Sequence, residues 1–259
     1  MKPRCLFSVI IAVRNGAATL PRALDSLFSQ THAEWECLIQ DALSEDGTAD
    51  ILAARPDERL NVVCEADSGV YDAWNRALDR ISPASRWVMF LGADDALAAP
   101  HVLAQAARVL DRVPEDIGFA QAGLELGRGG RVRERVARSR AEIFRQFICG
   151  MPLLTPAVFF RSTLFRSARF DSSYRIAGDF AFVAERLTPD NLALLPFVAS
   201  YMELGGLSSS LRFRPLLQAE RKRALAECVL PRAADIVRAC IETFEDTAAP
   251  LDLTRQSIS

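Results

Sequence analysis

Four runs of nearly unbroken apolar character occupy the first hundred residues: "LFSVIIAV" (6–13), "WECLIQ" (35–40), "LNVVCE" (60–65) and "RWVMFLG" (86–92). A strand with one wet face alternates apolar and polar residues, whereas runs this continuous fit parallel strands covered by helices on both sides. Between them apolar residues recur at helical spacing. Leu20, Ala23, Leu24, Leu27 and Phe28 mark one face, Ile51, Leu52 and Ala53 begin a second, and Val70, Trp74, Ala77, Leu78 and Ile81 mark a third. The β-α-β-α-β-α-β alternation demands right-handed crossovers and a Rossmann-like α/β sheet. In such sheets ligands bind beyond the carboxyl ends of the strands. The polar residues there are Arg14-Asn15-Gly16, Asp41, Asp67 and Asp94-Asp95, all expected on one edge.

The second half changes character. A helix is expected near 98–112, then a hairpin of "IGFAQAGLEL" (117–126) and "RVRERVA" (131–137) about the turn Gly127-Arg128-Gly129-Gly130. "AEIFRQFI" (141–148) reads as a short helix, "AVFFRS" (157–162) as a strand and "DFAFVAERL" (179–187) as a helix. "LALLPFVASYMEL" (192–204) reads as a strand whose proline implies an edge or bulge. From Phe213 to about Glu245 two amphipathic helices follow, broken at Pro231. No repeat or linker interrupts the chain. The expected organisation is one domain over 1–210, made of two halves (1–97 and 98–210), and a helical appendage over 211–259.

Bulk properties remove several function classes. The formal net charge of −2 argues against a general nucleic-acid binder. The six cysteines include no C-x-x-C pair and suit reduced core positions in a reducing cytosol. The two histidines, His32 and His101, exclude a multi-histidine metal site. The first apolar run is stopped by Arg14-Asn15-Gly16 without a small-residue cleavage site, so no secretory signal is expected. No apolar stretch approaches the roughly 20 residues needed to span a bilayer. A cytoplasmic protein, at most peripheral on the inner face of the membrane, is the expectation.

The segment "WVMFLGADD" (87–95) sets two adjacent carboxylates at the end of a dry strand. Aspartates in that place serve either as caps for a following helix or as hard-oxygen ligands of a divalent cation that also grips a diphosphate. A cation would turn their mutual repulsion into attraction and neutralise charge on a departing nucleotide. Spacing alone leaves both readings open.

The wider pattern resembles the inverting, GT-A-fold glycosyltransferases of family 2 that build bacterial surface polysaccharides. "FSVIIAVRNGAATLPRALDSLFSQTHAEWECLIQDALSEDGT" is similar to that family's opening, "EADSGVYDAWNRAL" to its E-x-D-x-G-x-Y-D-A-x-N segment, and "FLGADD" to its metal-binding D-x-D-type motif. The resemblance covers 6–95 most closely, continues over 150–210 and ends near 211. It implies a nucleotide-sugar donor, usually a UDP-sugar, a divalent metal (Mn2+ or Mg2+), and a glycan or polyprenyl-diphosphate-linked acceptor.

Carried over by position, the resemblance places Asn15 near the nucleotide through backbone contacts and Asp41 on the base. A carboxylate there favours uracil, whose ring N–H cytosine lacks. Asp67, Tyr71, Asp72, Asn75 and Arg76 would line the base, ribose or diphosphate, while Trp74 fits the apolar packing face. Asp94 would contact ribose and metal, and Asp95 the metal directly. "FDSSYRIAGDFAFVAERL" is similar to the segment in which a glutamate–aspartate pair opens a helix and the aspartate acts as general base. Here the glutamate is replaced by Gly178, and Asp179 remains as the base. "MPLLTPAVFFRSTLF" resembles an acceptor-side segment, with Thr155-Pro156 where many relatives have histidine-glutamine. "GGLSSS" (205–210) resembles a flexible loop over the diphosphate.

The appendage interleaves Arg212, Arg214, Arg221, Lys222, Arg223, Arg232 and Arg238 with apolar residues, which suits membrane-surface contact over 211–245, a homodimer contact, or packing on the domain. Two rival functions share much of this pattern. A sugar-nucleotide pyrophosphorylase should carry a glycine-rich basic loop after the first strand, which "VRNGAATL" lacks. A non-catalytic scaffold would retain the fold without the chemistry.

Overall fold

The structure, a computed structural model, describes residues 7–206 and 211–243. Cys5, Leu207–Ser210 of the expected diphosphate loop and the tail after Thr243 lie outside the described residues. The elements run β1 (Phe7–Val13), α1 (Leu20–Phe28), β2 (Trp35–Asp41), α2 (Thr48–Ala53), β3 (Leu60–Cys64), α3 (Val70–Leu78) and β4 (Trp87–Phe90). A two-residue β5 (Ala96–Leu97) leads to α4 (Val102–Leu110), the hairpin β6 (Phe119–Arg128) and β7 (Arg131–Val136), α5 (Arg140–Cys149) and β8 (Val158–Arg161). Then come α6 (Gly178–Arg186), β9 (Leu192–Glu203), α7 (Arg214–Ala224) and α8 (Ala233–Glu242).

The strands form one mixed sheet in the order β3-β2-β1-β4-β8-β6-β9-β5, with β7 beside β6. The first four are parallel, as their uninterrupted apolar character predicts. The order reverses between β1 and β4, because β2 and β3 add to one side of β1 and β4 to the other. A crevice opens at such a reversal, between the segments after Val13 and Phe90. β8 runs antiparallel to β4, and β9 runs parallel to β6. The register of β6 against β9 slips around Gln121–Leu124, opposite the Leu194–Val198 stretch that contains Pro196, as a proline without an N–H requires.

Alternation along β1 divides the core. Phe7, Val9, Ile11 and Val13 pack with α1 and α4 on one face, and Ile10 with α3, α5 and α6 on the other. β3 departs from expectation. It is the sheet edge, with Asn61, Val62 and Cys64 exposed, so it is not covered on both faces and Cys64 is not a core thiol.

The appendage is not separate from the domain. Ala224, Cys228, Val229, Ile236 and Ala239 belong to the same buried cluster as Phe180, Phe182 and Val183 of α6. Its break falls where expected: a π-helical turn (Leu225–Val229) and a 3-10 turn (Leu230–Arg232) separate α7 from α8 around Pro231. Two side chains of this region grip α6 at both ends. Glu220, buried on α7, accepts from the main-chain N–H groups of Arg175 (2.7 Å), Ile176 (2.9 Å) and Ala177 (2.9 Å), just ahead of α6. Arg232 donates to the carbonyls of Ala184 and Leu187 at the other end. The charges complement the helix dipole, anion at the amino end and cation at the carboxyl end.

Replacing Glu220 by alanine strands three donors, two of them buried. The expected cost is about 2–3 kcal/mol, a fall of roughly 5–10 °C in melting temperature for a chain of this size. Glu227→Ala, which removes an exposed pair with Arg223 and one long hydrogen bond from Tyr174, should move the melt far less; equal shifts in the two variants would contradict this account.

Candidate active site

A cavity of about 800 Å³ opens at the carboxyl ends of β1 and β4. Its wall contains Arg14, Asn15 and Gly16 after β1, Gly92 to Asp95 after β4, Tyr71 and Trp74 of α3, Thr155, Asp179 and Glu203. Arg175 and Arg221 reach it from the second half, beside Met151, Leu154 and Leu217.

The β1 turn is built for this place. Asn15 adopts a left-handed backbone conformation (φ 54°) that carries the chain sharply away from the strand. Its N–H donates to Ser44 Oγ (2.7 Å) and its side-chain oxygen accepts from Glu45 N–H (2.9 Å). The N–H groups of Gly16 and Ala17 donate to Thr48 and Asp46. The loops after β1 and β2 therefore form one unit.

After β4 the chain folds back on itself. The carboxylate of Asp95, nearly fully buried, accepts from Gly92 N–H (3.2 Å) on one oxygen and from Glu203 N–H (3.0 Å) on the other. This fold-back needs glycine at position 92, where a Cβ would lie 2.6 Å from Asp95 Oδ2 and 2.8 Å from Asp94 Oδ1. Burial, with the neighbouring charge of Asp94, pushes the Asp95 carboxyl up to about 7, and burial raises Asp94 too. Glu203, at the end of β9, behaves oppositely. Although burial works the other way, hydrogen bonds from Gly129, Tyr201, Arg22 and Gly130 hold it at about 2. Arg22 pairs with it at 2.8 Å and also donates to the Asp94 carbonyl.

Asp179 sits in the first turn of α6, facing the cavity. It accepts from Thr155 Oγ1 (2.8 Å) and its oxygen Oδ1 lies 3.1 Å from the Tyr71 hydroxyl and 2.9 Å from Phe180 N–H. Burial raises its pKa, and these three hydrogen bonds oppose the rise. A raised carboxylate is a better proton acceptor than an ordinary one while still ionising.

Of the residues expected in the site, Asn15, Tyr71, Asp94, Asp95 and Asp179 line this cavity; five others do not. Asp41 lies beside it, 1% exposed, with its oxygens held by Ser44 and Cys64. Asp67 caps its own turn through Gly69 N–H (3.0 Å). Asp72 accepts from Ser68 N–H, and Arg76 bridges Asp72 and Glu65 at the sheet edge. Asn75 exchanges two hydrogen bonds with the main chain of Phe170, so its amide fastens α3 to the second half and is not a ligand-facing group. For the three α3 residues the physical reason is the helical face: Val70, Tyr71 and Trp74 present the side that lines the cavity, while Asp72, Asn75 and Arg76 turn to Ser68, Phe170 and Glu65. β2 lies one strand away from the reversal, so Asp41 stands at the shared edge beside the crevice. Trp74 packs on Phe90 (ring centroids 4.4 Å apart), as expected.

Sequence reasoning missed Glu203, Arg22 and Glu220. The strand-end rule would have found Glu203 had β9 been recognised as parallel to β6. Nothing in the spacing marks Glu220.

The glycosyl transferase family 2 pattern matches residues 8–172. The chain belongs to that family. It is 34% identical over 217 residues, 80% of each chain, to a PGL/p-HBAD biosynthesis glycosyltransferase of Mycobacterium bovis. It is 41% identical over 93 residues, about a third of each chain, to the putative teichuronic acid biosynthesis glycosyltransferase TuaG of Bacillus subtilis. Among solved structures, S. aureus TarS 1-349 in complex with UDP-GlcNAc superposes with a TM-score of 0.67 at 19% identity, covering 92% of this chain and 71% of that one. Against a longer TarS structure the match covers only 43% of that chain. A mannosyltransferase from Pyrobaculum calidifontis, in complex with GDP-Man and Mn2+, gives 0.59 at 19% identity, covering 94% and 81%. The family and its named members make this chain a glycosyltransferase, and the superpositions make its fold GT-A.

The donor set fits a divalent cation. Two hard-oxygen carboxylates converge beside Gly92, and burial together with the neighbouring Asp94 charge disfavours an unneutralised Asp95 carboxylate. No group of three or more His, Cys, Asp and Glu able to hold a metal occurs among the described residues, so water and diphosphate oxygens would complete the shell. Gly92→Ala should disturb both carboxylates while sparing the strand. The expected result is at least a tenfold loss of Mn2+-dependent UDP affinity by calorimetry, with an unchanged circular dichroism spectrum.

Proposed function

We propose that the protein is an inverting glycosyltransferase that moves a sugar from a UDP-sugar to a hydroxyl of a glycan or lipid-linked acceptor, with Asp179 as the general base. The observation that supports this reading is one cavity holding the Asp94–Asp95 pair after β4 and Asp179 at the head of α6. Asp94 and Asp95 would hold a divalent cation, which would supply charge neutralisation to a diphosphate leaving group. The chain's own residues do the rest. The Asn15 turn and the β4 end confine the nucleotide, and the pair Thr155 and Tyr71 fixes the carboxylate of Asp179. Asp179 takes the proton from the acceptor oxygen as that oxygen attacks the anomeric carbon from the side opposite the leaving group. The new C–O bond forms as the anomeric bond to phosphate breaks, and the electron pair leaves with UDP.

The preference for uracil rests on Asp41. In the arrangement seen, Ser44 occupies its Oδ1, so base recognition requires that hydroxyl to turn away. Competition of UDP and CDP against wild type and Asp41→Asn tests it: the variant should lose the discrimination, and an unchanged ratio would remove Asp41 from base reading.

No helix among the described residues is long and apolar enough to cross a membrane. Peripheral contact through 211–245 is supported by the exposed side chains Leu230, Val237 and Ile241. Sedimentation with anionic vesicles should be lost in the Val237→Glu/Ile241→Glu variant; binding that survives would place the contact elsewhere.

Asp179→Asn should abolish transfer while UDP binding persists. Its stability should hold or rise at pH 8. The folded-state pKa lies above the unfolded value, so wild type loses stability as pH climbs through that interval, and asparagine removes the loss. A variant with near-wild-type turnover would rule out Asp179 as base.

A further inference from the structure

Tyr71 belongs to α3, in the nucleotide-binding half, yet its hydroxyl points across the cavity floor into the second half. The side chain is 3% exposed and leaves little polar surface for a donor. Its single hydroxyl proton is shared between two acceptors, the Ile176 carbonyl at 2.6 Å and Asp179 Oδ1 at 3.1 Å. The ring stacks on Phe170 (5.8 Å) and meets Trp74 edge-on (5.3 Å), so its direction is fixed by packing. At Gly178, a Cβ would lie 2.8 Å from both Cδ2 and Cε2 of this ring. The space that any side chain at position 178 would need is filled by tyrosine.

We propose that Tyr71 is the positioning residue of the base, holding Asp179 through its hydroxyl, and that its ring leaves room for nothing larger than glycine at position 178. The proposal rests on the reading of Asp179 as base. Tyr71 meets two requirements of that role. Its phenol titrates far above neutrality, because burial and the nearby Asp179 charge disfavour the phenolate, so it remains a donor throughout the working range. Once Asp179 has accepted the acceptor's proton, the new carboxylic O–H can donate to the lone pairs of the same phenol oxygen, so the contact survives in both protonation states. No proton beyond the acceptor's own is moved.

The remaining groups around Asp179 are few. Thr155 Oγ1 bonds it from the 3-10 turn after α5, and Phe180 N–H from its own helix. The charged residues of the same cavity wall are Arg14, Asp94, Asp95, Arg175, Glu203 and Arg221. None changes in a Tyr71→Phe variant, which also keeps the ring over Gly178. The substitution removes one hydrogen bond that favours the ionised base.

The test is the pH dependence of kcat for hydrolysis of a UDP-sugar at saturating donor and Mn2+, with water as the acceptor. Tyr71→Phe should move the acid limb upward by about half to one pH unit, in proportion to one lost hydrogen bond to a carboxylate, with donor KM unchanged. Thr155→Val should move the limb the same way, and Thr155→Ser should restore it. A raised donor KM with an unmoved limb would make Tyr71 a donor-binding residue and overturn the proposal, as would no change in either quantity. If Tyr71→Phe does not fold, Gly178→Ala, which presses on the ring with the hydroxyl retained, should lower kcat at least tenfold at constant KM; wild-type kcat there would also overturn it. Asp179→Asn separates the two levels: turnover in that variant sinks the base assignment itself, whereas a dead Asp179→Asn beside an unmoved Tyr71→Phe sinks only the role of Tyr71.

Discussion

The site depends on one buried carboxylate, that of Asp95, held between the main-chain N–H groups of Gly92 and Glu203. It ties the end of β4, last of the parallel strands, to the end of β9 in the mixed half. It reinforces the border that β8 makes between the two halves and the short β5–β9 pairing that follows it at the rim. The two N–H groups favour the ionised carboxylate, while burial and the neighbouring Asp94 charge outweigh them in the other direction. A nearby cation would tip that balance, so closing the rim and accommodating a cation draw on a single side chain.

The second half answers with a different device. The residues leading into α6 have few partners of their own, and Glu220 supplies one carboxylate for three successive N–H groups. Arg232 closes the other end of the helix. Asp179 is therefore held from three directions: by its helix, by Thr155, and by Tyr71 from the opposite half. Two carboxylates with raised pKa values, Asp95 and Asp179, thus reach the cavity from elements far apart in sequence, each held by one neighbouring N–H and by partners distant along the chain.

Much of this was legible beforehand. Continuous apolar runs identified β1, β2 and β4, and helical spacing identified α1 and α3 with little error. The strand-end rule brought Asn15, Asp94 and Asp95 to the cavity because they follow strands that flank the reversal. Asp67, which the same rule put on that edge, bonds its own turn, and Asp72 and Arg76, carried over by the resemblance, pair with each other at the sheet edge. Asn75 was carried over in the same way, while its partners on Phe170 are main-chain atoms that leave no trace in side-chain chemistry. Glu220 was hidden for the same reason. β3 looked like its neighbours in composition, and only the absence of a further strand beyond it makes it an edge.

The grip of α7 on the approach to α6 bears on when the enzyme can come into being. A polypeptide leaves the ribosome amino end first, and the wall of the cavity draws on Glu203 of β9 and on Leu217 and Arg221 of α7 as well as on Asp94 and Asp95. The first half therefore holds only one side of the crevice until α7 has emerged, and the same late helix completes both the cavity and the clamp on α6.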